Sequence, residues 1–309
     1  MERITAVDLR TFLSNNNVEH NLRRLIHQIA ITCKYISSKI NEANRKYAVS
    51  KNVSGEQQLE LDKAADQIFI KRMECCAYVK QLASEEQDEI VSVLLPEQSN
   101  NAEYSITVDP LDGSSLIDVN LAVGSIIGIH KGELCLKNEH NLIAAMYVLY
   151  GPLTTLILST GNGTHEFVLN PEGEFVLACE NIKMKEKGNI YSIGGVKKEW
   201  TEKHKRYIEH LEDEGYKLRY SGGLVPDVNQ ILLKNGGLFT YPALINAKNG
   251  KLRLLFELQP LSFIIEQAGG AAIDGKNRIL DIKPETLHQR SPIYIGSKHE
   301  VNLAKDYLM

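Results

Sequence analysis

The run SITVDPLDGSSLID, Ser105 to Asp118, constrains this 309-residue chain more than any other stretch. Ser105, Thr107 and Asp109 alternate with Tyr104, Ile106 and Val108. Period-two alternation predicts a strand that delivers Asp109 at its C-terminal end. Pro110 and Gly113 then require a bend. Aspartates three apart across such a bend, Asp109 and Asp112, can converge on a hard cation, which takes oxygen ligands. The amides of Gly113, Ser114 and Ser115 are free to cradle an anion. An ordinary Asp/Gly/Ser turn carries the same letters, so the reading depends on which other carboxylates the chain brings.

Composition narrows the function classes. With 43% hydrophobic and 24% charged residues, the chain can bury a large core, in one domain or two packed halves. A net charge of −4 leaves no broad basic surface and argues against nucleic acid as a partner. No run approaches 18 apolar residues, so no membrane span is expected. The first residues, MERITAVDLRTFLSNNN, lack a signal peptide's apolar stretch, which predicts a cytoplasmic protein. Cys33, Cys75, Cys76, Cys135 and Cys179 show neither paired metal-ligand spacing nor a disulfide framework and read as free thiols, with the adjacent pair leaving room for a redox switch.

Leu22, Leu25, Ile26, Ile29, Cys33, Ile36 and Ile40 predict an amphipathic packing helix over residues 19–43. Residues 45–60 read as a mobile polar loop carrying acids to a site, followed by a helix through Ala65, Ile68, Phe69 and Met73. Glu85 and Glu86 are expected at the end of that helical region. Alternation from Val119 to Ile129, and apolar runs at 142–150, 153–159 and 165–169, predict a largely antiparallel sheet. Beyond the charged segment 183–187, strands are expected at 189–192, 217–220, 238–241 and 271–273 and helices at 199–212, 226–233 and 260–268, with Pro226 and Pro260 at helix starts. Leu252 to Phe256 reads as a strand ending at Glu257. The division is placed near Lys185, giving units 1–185 and 186–309.

Three features add carboxylates to the DPLDG loop: Glu85 with Glu86, Glu257, and Glu56 with Asp62. Any one of them alone reads as a solvated acid. The motifs SEE (84–86), DPLDGSS (109–115), RYSGGLVPDV (219–228), FTYPA (239–243), NGKLRLLFE (249–257) and EQAGGAA (266–272) stand in one order. In these motifs, over roughly residues 22–301, the chain resembles class I fructose-1,6-bisphosphatases, within the lithium-sensitive metal-dependent phosphatases. YGPLTT (150–155), GTHEF (163–167) and RYSGGLVPDVNQ (219–230) look more like sedoheptulose-1,7-bisphosphatase. The resemblance implies an α/β sugar phosphatase fold, a layered α-β-α-β-α sandwich with an antiparallel-rich N-terminal sheet and a mixed C-terminal sheet. It further implies a metal and catalytic unit over 1–185 and a sugar-phosphate-binding unit over 186–309.

By the same resemblance, Glu85, Glu86, Asp109, Asp112 and Glu257 hold two or three Mg²⁺ ions, with Glu56 and the Leu111 carbonyl adding oxygens. A sulfur-free carboxylate set suits Mg²⁺ or Mn²⁺. Asp62 would help deprotonate the attacking water, while Gly113, Ser114 and Ser115 hold phosphate oxygens. Tyr220, Tyr241 and Lys251 match the family's residues for the second phosphate, and Arg253 would shield charge near the metals. Arg219 matches a residue that reaches a neighbouring subunit's site, implying a homodimer or homotetramer. The substrate implied is a sugar bisphosphate, fructose 1,6-bisphosphate first, sedoheptulose 1,7-bisphosphate second. An inositol monophosphatase relative shares DPLDG but leaves YPA, GKLRLL and RY unexplained. An inactive sugar-phosphate-binding regulator would not need a cluster of mutually repelling acids.

The chain also departs from the family pattern. Leu116 stands where the family has Asn after DGSS, and Gly194 where another Asn helps bind the remote phosphate, leaving Lys197 or Lys198 as candidate point charges. The residues NNNVEHN and the pair Glu103-Tyr104 replace the TGE segment and Lys-Tyr pair through which AMP inhibits animal enzymes, so loss of AMP control is expected.

Overall fold

Leu22, Leu25, Ile26, Ile29, Cys33 and Ile36 turn one side of α2 (His20–Tyr47) into the core, as their three- and four-residue spacing requires. The computed structural model describes residues 7–47, 54–93, 102–134, 136–137, 141–234 and 236–309, and of residues 43–47 and 54–59 the backbone alone. Cys135 lies outside them. Asp8 caps α1 (Leu9–Asn15), accepting from Thr11 N at 2.7 Å. Glu19 caps α2, accepting from Asn21 N and Leu22 N at 3.0 Å each. The loop expected over 45–60 is corrected: α2 runs to Tyr47 and α3 (Ser54–Glu74) starts at Ser54. Glu, Gln, Lys, Arg and Ala are good helix formers without an apolar face, so periodicity could not reveal these turns.

The first sheet has eight strands: β1 (Val79–Ser84), β2 (Val91–Ser92), β3 (Tyr104–Asp112), β4 (Val123–Lys131), β5 (Leu142–Tyr150), β6 (Thr154–Ser159), β7 (His165–Leu169) and β8 (Phe175–Cys179). Their order is β2-β1-β3-β4-β5-β6-β7-β8, antiparallel throughout except for the parallel β1–β3 pair. The expected antiparallel sheet is therefore present, but Glu85 and Glu86 follow a strand rather than a helix. All nine residues of β3 are buried. Its polar face survives burial because Ser105 Oγ donates to Gly132 O at 2.6 Å and Thr107 Oγ1 bonds His130 Nε2 at 3.1 Å. The strand predicted from Val119 begins only at Val123. Gly113 (φ 76°) and Asn120 (φ 57°) bound a 3₁₀ helix, Ser114–Val119, and leave Val119 and Leu121 exposed.

After β8 come β9 (Ile190–Ile193), α4 (Glu202–Asp213), β10 (Lys217–Leu218), α5 (Leu224–Leu233), β11 (Leu238–Tyr241), β12 (Leu252–Arg253), α6 (Gln259–Gln267), β13 (Ala271–Ile273), β14 (Arg290–Ser291), β15 (Ile293–Gly296) and α7 (Lys298–Leu308). The second sheet, β10-β9-β11-β15-β13, is parallel across its first three strands and antiparallel across the rest; β12 and β14 form a separate pair. Only Leu252 and Arg253 of the predicted 252–256 strand are strand; a π-helical turn, Leu254–Leu258, follows. Pro226 and Pro260 both sit in first turns, where no N–H is needed. The segment forming β15 and α7 drew no prediction.

Three buried clusters define five layers. Leu9, Leu25, Ile29, Phe69 and Met73 of α1–α3 pack on Ile106, Val108, Ile127 and Met146 of the first sheet. Ile126, Ala145, Tyr147 and Ile157 on its other face meet Val225, Val228, Leu261 and Ile265 of α5 and α6, which rest on Ile190, Phe239 and Ile295 of the second sheet. Tyr207 and Leu211 of α4 and Val301 and Ala304 of α7 cover the outer face. This is the α-β-α-β-α sandwich expected.

Tyr147 Oη donates to the buried Asn229 Oδ1 at 2.8 Å, tying β5 to α5 across the middle layer. Tyr147→Phe leaves that acceptor without its donor, and urea unfolding should show a loss of about 1–3 kcal/mol. Unchanged stability would mean the bond is not needed to dock the layers.

Candidate active site

Asp109 and Asp112 are three apart, which on a regular strand would send their side chains to opposite faces. A bulge removes the conflict: Asp109 pairs with Ile126 and Asp112 with Gly124, three steps on β3 against two on β4. The π-helical turn brings in Glu257, and carboxylate oxygens of Asp109, Asp112 and Glu257 all lie within 4.8 Å of one another, with all three residues buried. Each accepts from the backbone: Asp109 from Leu111 N at 3.1 Å, Asp112 from Val225 N at 2.8 Å and also from Leu224, and Glu257 from Arg253 N. Val225 is the second residue of α5, whose N-terminus therefore points at Asp112. Close approach there requires Gly124, since a Cβ on it would lie 2.6 Å from the Val225 side chain.

Further acids surround this core. Glu85 N donates to Val108 O at 2.9 Å, fixing the SEE segment beside β3, and Glu85 Oε1 meets Arg253 Nη2 at 2.8 Å. From α3, Asp62 Oδ2 accepts from Ser114 Oγ at 3.1 Å, while Oδ1 is buried with no partner among the described residues. Sequence reasoning missed Asp66, one turn further along α3, buried and bonded to Gln87 Nε2; the four-residue spacing of DKAAD was the available signal.

Burial, then mutual repulsion, raises the proton affinity of these groups. Asp109 is raised well above the usual carboxyl range by desolvation, Asp112, Glu257 and Glu85. Desolvation pushes Asp112 up to about 6 against the pull of the Val225 amide, with Asp227 and Glu85 adding to the rise. Glu257 rises to about 8 through desolvation, Asp112 and Glu85. Asp62 rises to about 6 by desolvation, with Ser114 opposing and Glu85 assisting. Glu86 reaches about 7 through desolvation, Glu85, Asp62 and Asp66. A crowded, all-oxygen, buried anionic set is what a hard divalent cation fits.

A cleft of about 280 Å³ opens from the cluster. Glu85, Asp112 and Glu257 line it together with Tyr220, Tyr241, Lys251 and Arg253. Of the other candidates, Gly113 starts the 3₁₀ helix with Ser114, Leu111 is buried beside Asp109, and Ser115 is exposed. Arg219 lies outside the cleft lining, exposed, its Nη1 donating to Leu218 O at 2.9 Å. The Glu56 side chain lies outside the described residues. The Gly194 departure has a steric basis: a Cβ there would stand 2.3 Å from Tyr241 Cδ2. Lys197 and Lys198 are exposed in the short turn that follows.

In the metal-free protein the cluster holds protons that ordinary carboxyls release near pH 4. Native Asp112 and Glu257, at about 6 and about 8, thus bind more protons than the unfolded chain does. Stability must fall as pH rises from about 4 to about 8. Calorimetry of the metal-free protein should show Tm dropping from about pH 5 to about pH 8, with a divalent cation restoring more at the higher pH. A metal-free Tm that climbs through this window would contradict the cluster.

The fructose-1,6-bisphosphatase N-terminal domain family matches residues 4–180, and its C-terminal domain family residues 184–309. A "Fructose-1,6-bisphosphatase class 1" of Geotalea uraniireducens is 50% identical over 302 residues, 98% of this chain and 96% of that protein. The Geobacter sulfurreducens protein of the same description is 47% identical with the same coverage. The crystal structure of Leishmania major fructose-1,6-bisphosphatase in holo form aligns with a TM-score of 0.87 at 32% identity, covering 98% of each chain. With both family domains matched in sequence and the layered sandwich shared in structure, the chain belongs to the class 1 fructose-1,6-bisphosphatase family.

Proposed function

We propose that this protein is a phosphoric monoester hydrolase that removes the 1-phosphate of fructose 1,6-bisphosphate, giving fructose 6-phosphate and inorganic phosphate. The observation carrying this reading is the single cleft that joins the acid cluster to Tyr220, Tyr241 and Lys251. A bisphosphate needs two anion sites of different kinds on one sugar, and a cleft lined by both acids and a tyrosine–lysine group would supply them. In this reading residues 1–185 carry the metal and catalytic groups and 186–309 the sugar-phosphate pocket, with Glu257 crossing from the second unit to the first. The protein acts in the cytoplasm.

Glu85, Glu86, Asp109, Asp112 and Glu257, with Glu56 and the Leu111 carbonyl, would hold Mg²⁺, two or three ions per site. A divalent cation held by these residues would supply Lewis acidity toward a water and countercharge for the phosphate and leaving oxygen. Asp62, at about 6, is ionised at neutral pH yet basic enough to take the water's proton, and Ser114 orients it. Gly113, Ser114 and Ser115 cradle the phosphate oxygens at the start of the 3₁₀ helix. Tyr220, Tyr241 and Lys251 hold the 6-phosphate, with Arg253 beside Glu85 limiting repulsion between acids and substrate. AMP is not expected to regulate through the Glu103 position: Glu103 is paired to Lys131, and Glu19 is bonded to Tyr104 Oη, so a nucleotide phosphate would face two carboxylates.

Phosphate release from fructose 1,6-bisphosphate with Mg²⁺ tests the reading directly, and sedoheptulose 1,7-bisphosphate in parallel tests the preferred sugar. Asp112→Asn should cost orders of magnitude in turnover, and Asp62→Asn about 10²–10⁴-fold with the acid limb of the pH profile lost. Near-normal turnover of Asp112→Asn at saturating Mg²⁺ would refute the site.

The exposed Arg219 is proposed to reach the substrate of a neighbouring subunit in a dimer or tetramer. Arg219→Ala should then raise KM more than it lowers kcat. Mixed oligomers of Arg219→Ala and Asp112→Asn chains should regain activity at low substrate, because a site with intact acids can borrow the partner's arginine. No recovery in verified hybrids would confine Arg219 to its own subunit.

A further inference from the structure

Asp109 and Asp112 share one side of the sheet only because of the bulge between them, and that bulge has a support of its own. Pro110 and Leu111 stand opposite the single residue Ser125, between the Asp109–Ile126 and Asp112–Gly124 pairs. A bulge disrupts the ladder at the residues it inserts, and Pro110, lacking an N–H, has only its carbonyl to satisfy. Ser125 Oγ donates to that carbonyl at 2.6 Å, with both residues buried.

The direction of the neighbouring bonds follows from Ser125. Its one hydroxyl proton goes to Pro110 O, so in the 2.9 Å contact between Ser125 Oγ and Tyr150 Oη the tyrosine donates. Tyr150, the last residue of β5, also bonds the buried Cys33 of α2. Burial pushes the Cys33 thiol up to about 12, with its Tyr150 bond opposing, so Cys33 keeps its proton at neutral pH and is the donor in that pair. Donors from α2, β5 and β4 therefore point the same way, towards one carbonyl of the DPLDG loop, and in such a chain successive hydrogen bonds polarise one another.

That carbonyl is one edge of a trans peptide plane whose opposite edge is Leu111 N–H. Leu111 N donates to Asp109 Oδ1 at 3.1 Å. Fixing the C=O therefore fixes the direction of the N–H, and the N–H fixes the Asp109 carboxylate. We propose that Ser125 and Tyr150, neither of which lines the acidic cleft, are positioning residues for cation binding: with Cys33 behind them, they hold the Pro110–Leu111 peptide so that Asp109 keeps an oxygen in the group it shares with Asp112 and Glu257. This role rests on the acid cluster's being a cation site. Removing an outer partner that orients a metal ligand typically costs about 10–100-fold in metal affinity.

The test is titration of the metal-free protein with Mn²⁺, read as free Mn²⁺ by electron paramagnetic resonance, so that no turnover is needed. Tyr150→Phe and Ser125→Ala should each weaken Mn²⁺ binding about tenfold or more. The Mg²⁺ needed for half-maximal turnover should rise in parallel, while KM for the sugar bisphosphate at saturating Mg²⁺ stays at the wild-type value. Tyr147→Phe is the control for stability: it removes a buried hydroxyl from the other face of the same strand and should leave Mn²⁺ affinity unchanged. If Ser125→Ala does not fold, Tyr150→Phe, which keeps the ring and loses one oxygen, carries the test. Wild-type Mn²⁺ affinity in folded Tyr150→Phe, or an equal loss in Tyr147→Phe, would overturn the positioning role. A wild-type protein that takes up no Mn²⁺ would refute the cation site itself and this role with it, a result distinct from variants that bind like wild type.

Discussion

Withdrawing Asp109, Asp112 and Glu257 from water at mutual distances within 4.8 Å is unfavourable on every count: each carboxylate loses hydration, and each repels the others. Much of the surrounding structure counters that cost. Each acid receives main-chain N–H groups, and the donors belong to different elements: Leu111 of β3, Leu224 and Val225 of α5 and Arg253 of β12. Backbone donors cannot rotate away as side chains can, so the cluster exists only when the first sheet, the middle helices and the β12 segment are docked together. The remaining imbalance appears as the raised proton affinity of all three carboxyls. A bound cation can replace those protons.

The same docking links two parts of the cleft lining. Gly124 admits α5 close to β4, and Val225 N thereby reaches Asp112. In the same first turn of α5, buried Asp227 accepts from Ser221 N at 2.8 Å, which ties down the segment after Tyr220. One short helix therefore holds both an acid of the cluster and the segment that follows Tyr220.

How much of this could be read from sequence depended on whether the signal was local. Strands 142–150, 165–169, 238–241 and 271–273 were legible to the residue because short apolar runs end at Gly, Pro or polar turns. The strand β1 was not, since VKQLAS carries no clean alternation and owes its pairing to β3. Glu257 was assigned to the right neighbourhood for a wrong reason: LRLLF looks like a buried strand, and periodicity cannot separate that from a buried helical turn. The bulge that turns Asp109 and Asp112 to one side is a property of register between two strands, invisible in either alone. Asp66 needed the knowledge that α3 lies against Glu86. The acids themselves were found through motif resemblance, whereas their shared desolvation came only from the packed structure.

The two departures from the family pattern make physical sense against their neighbours. At 194 the backbone lies so close to the Tyr241 ring that any Cβ would overlap it, so the ring's position and the absence of a side chain at 194 are one feature. At 116, the leucine side chain comes within 2.9 Å of where a Cβ on Gly223 would sit, and within 3.3 Å of the corresponding point on Gly222. Leu116 therefore packs directly on the Ser221-Gly222-Gly223 segment, next to the N-terminus of α5, where an asparagine would bring an amide needing partners. Both changes substitute close apolar packing for a polar side chain, and both bear on groups that line the cleft, Tyr241 in one case and Gly222-Gly223 in the other. Under the proposed function, recognition of the second phosphate would then rest on Tyr220, Tyr241 and Lys251, because the Tyr241 ring occupies the space that a side chain at 194 would need.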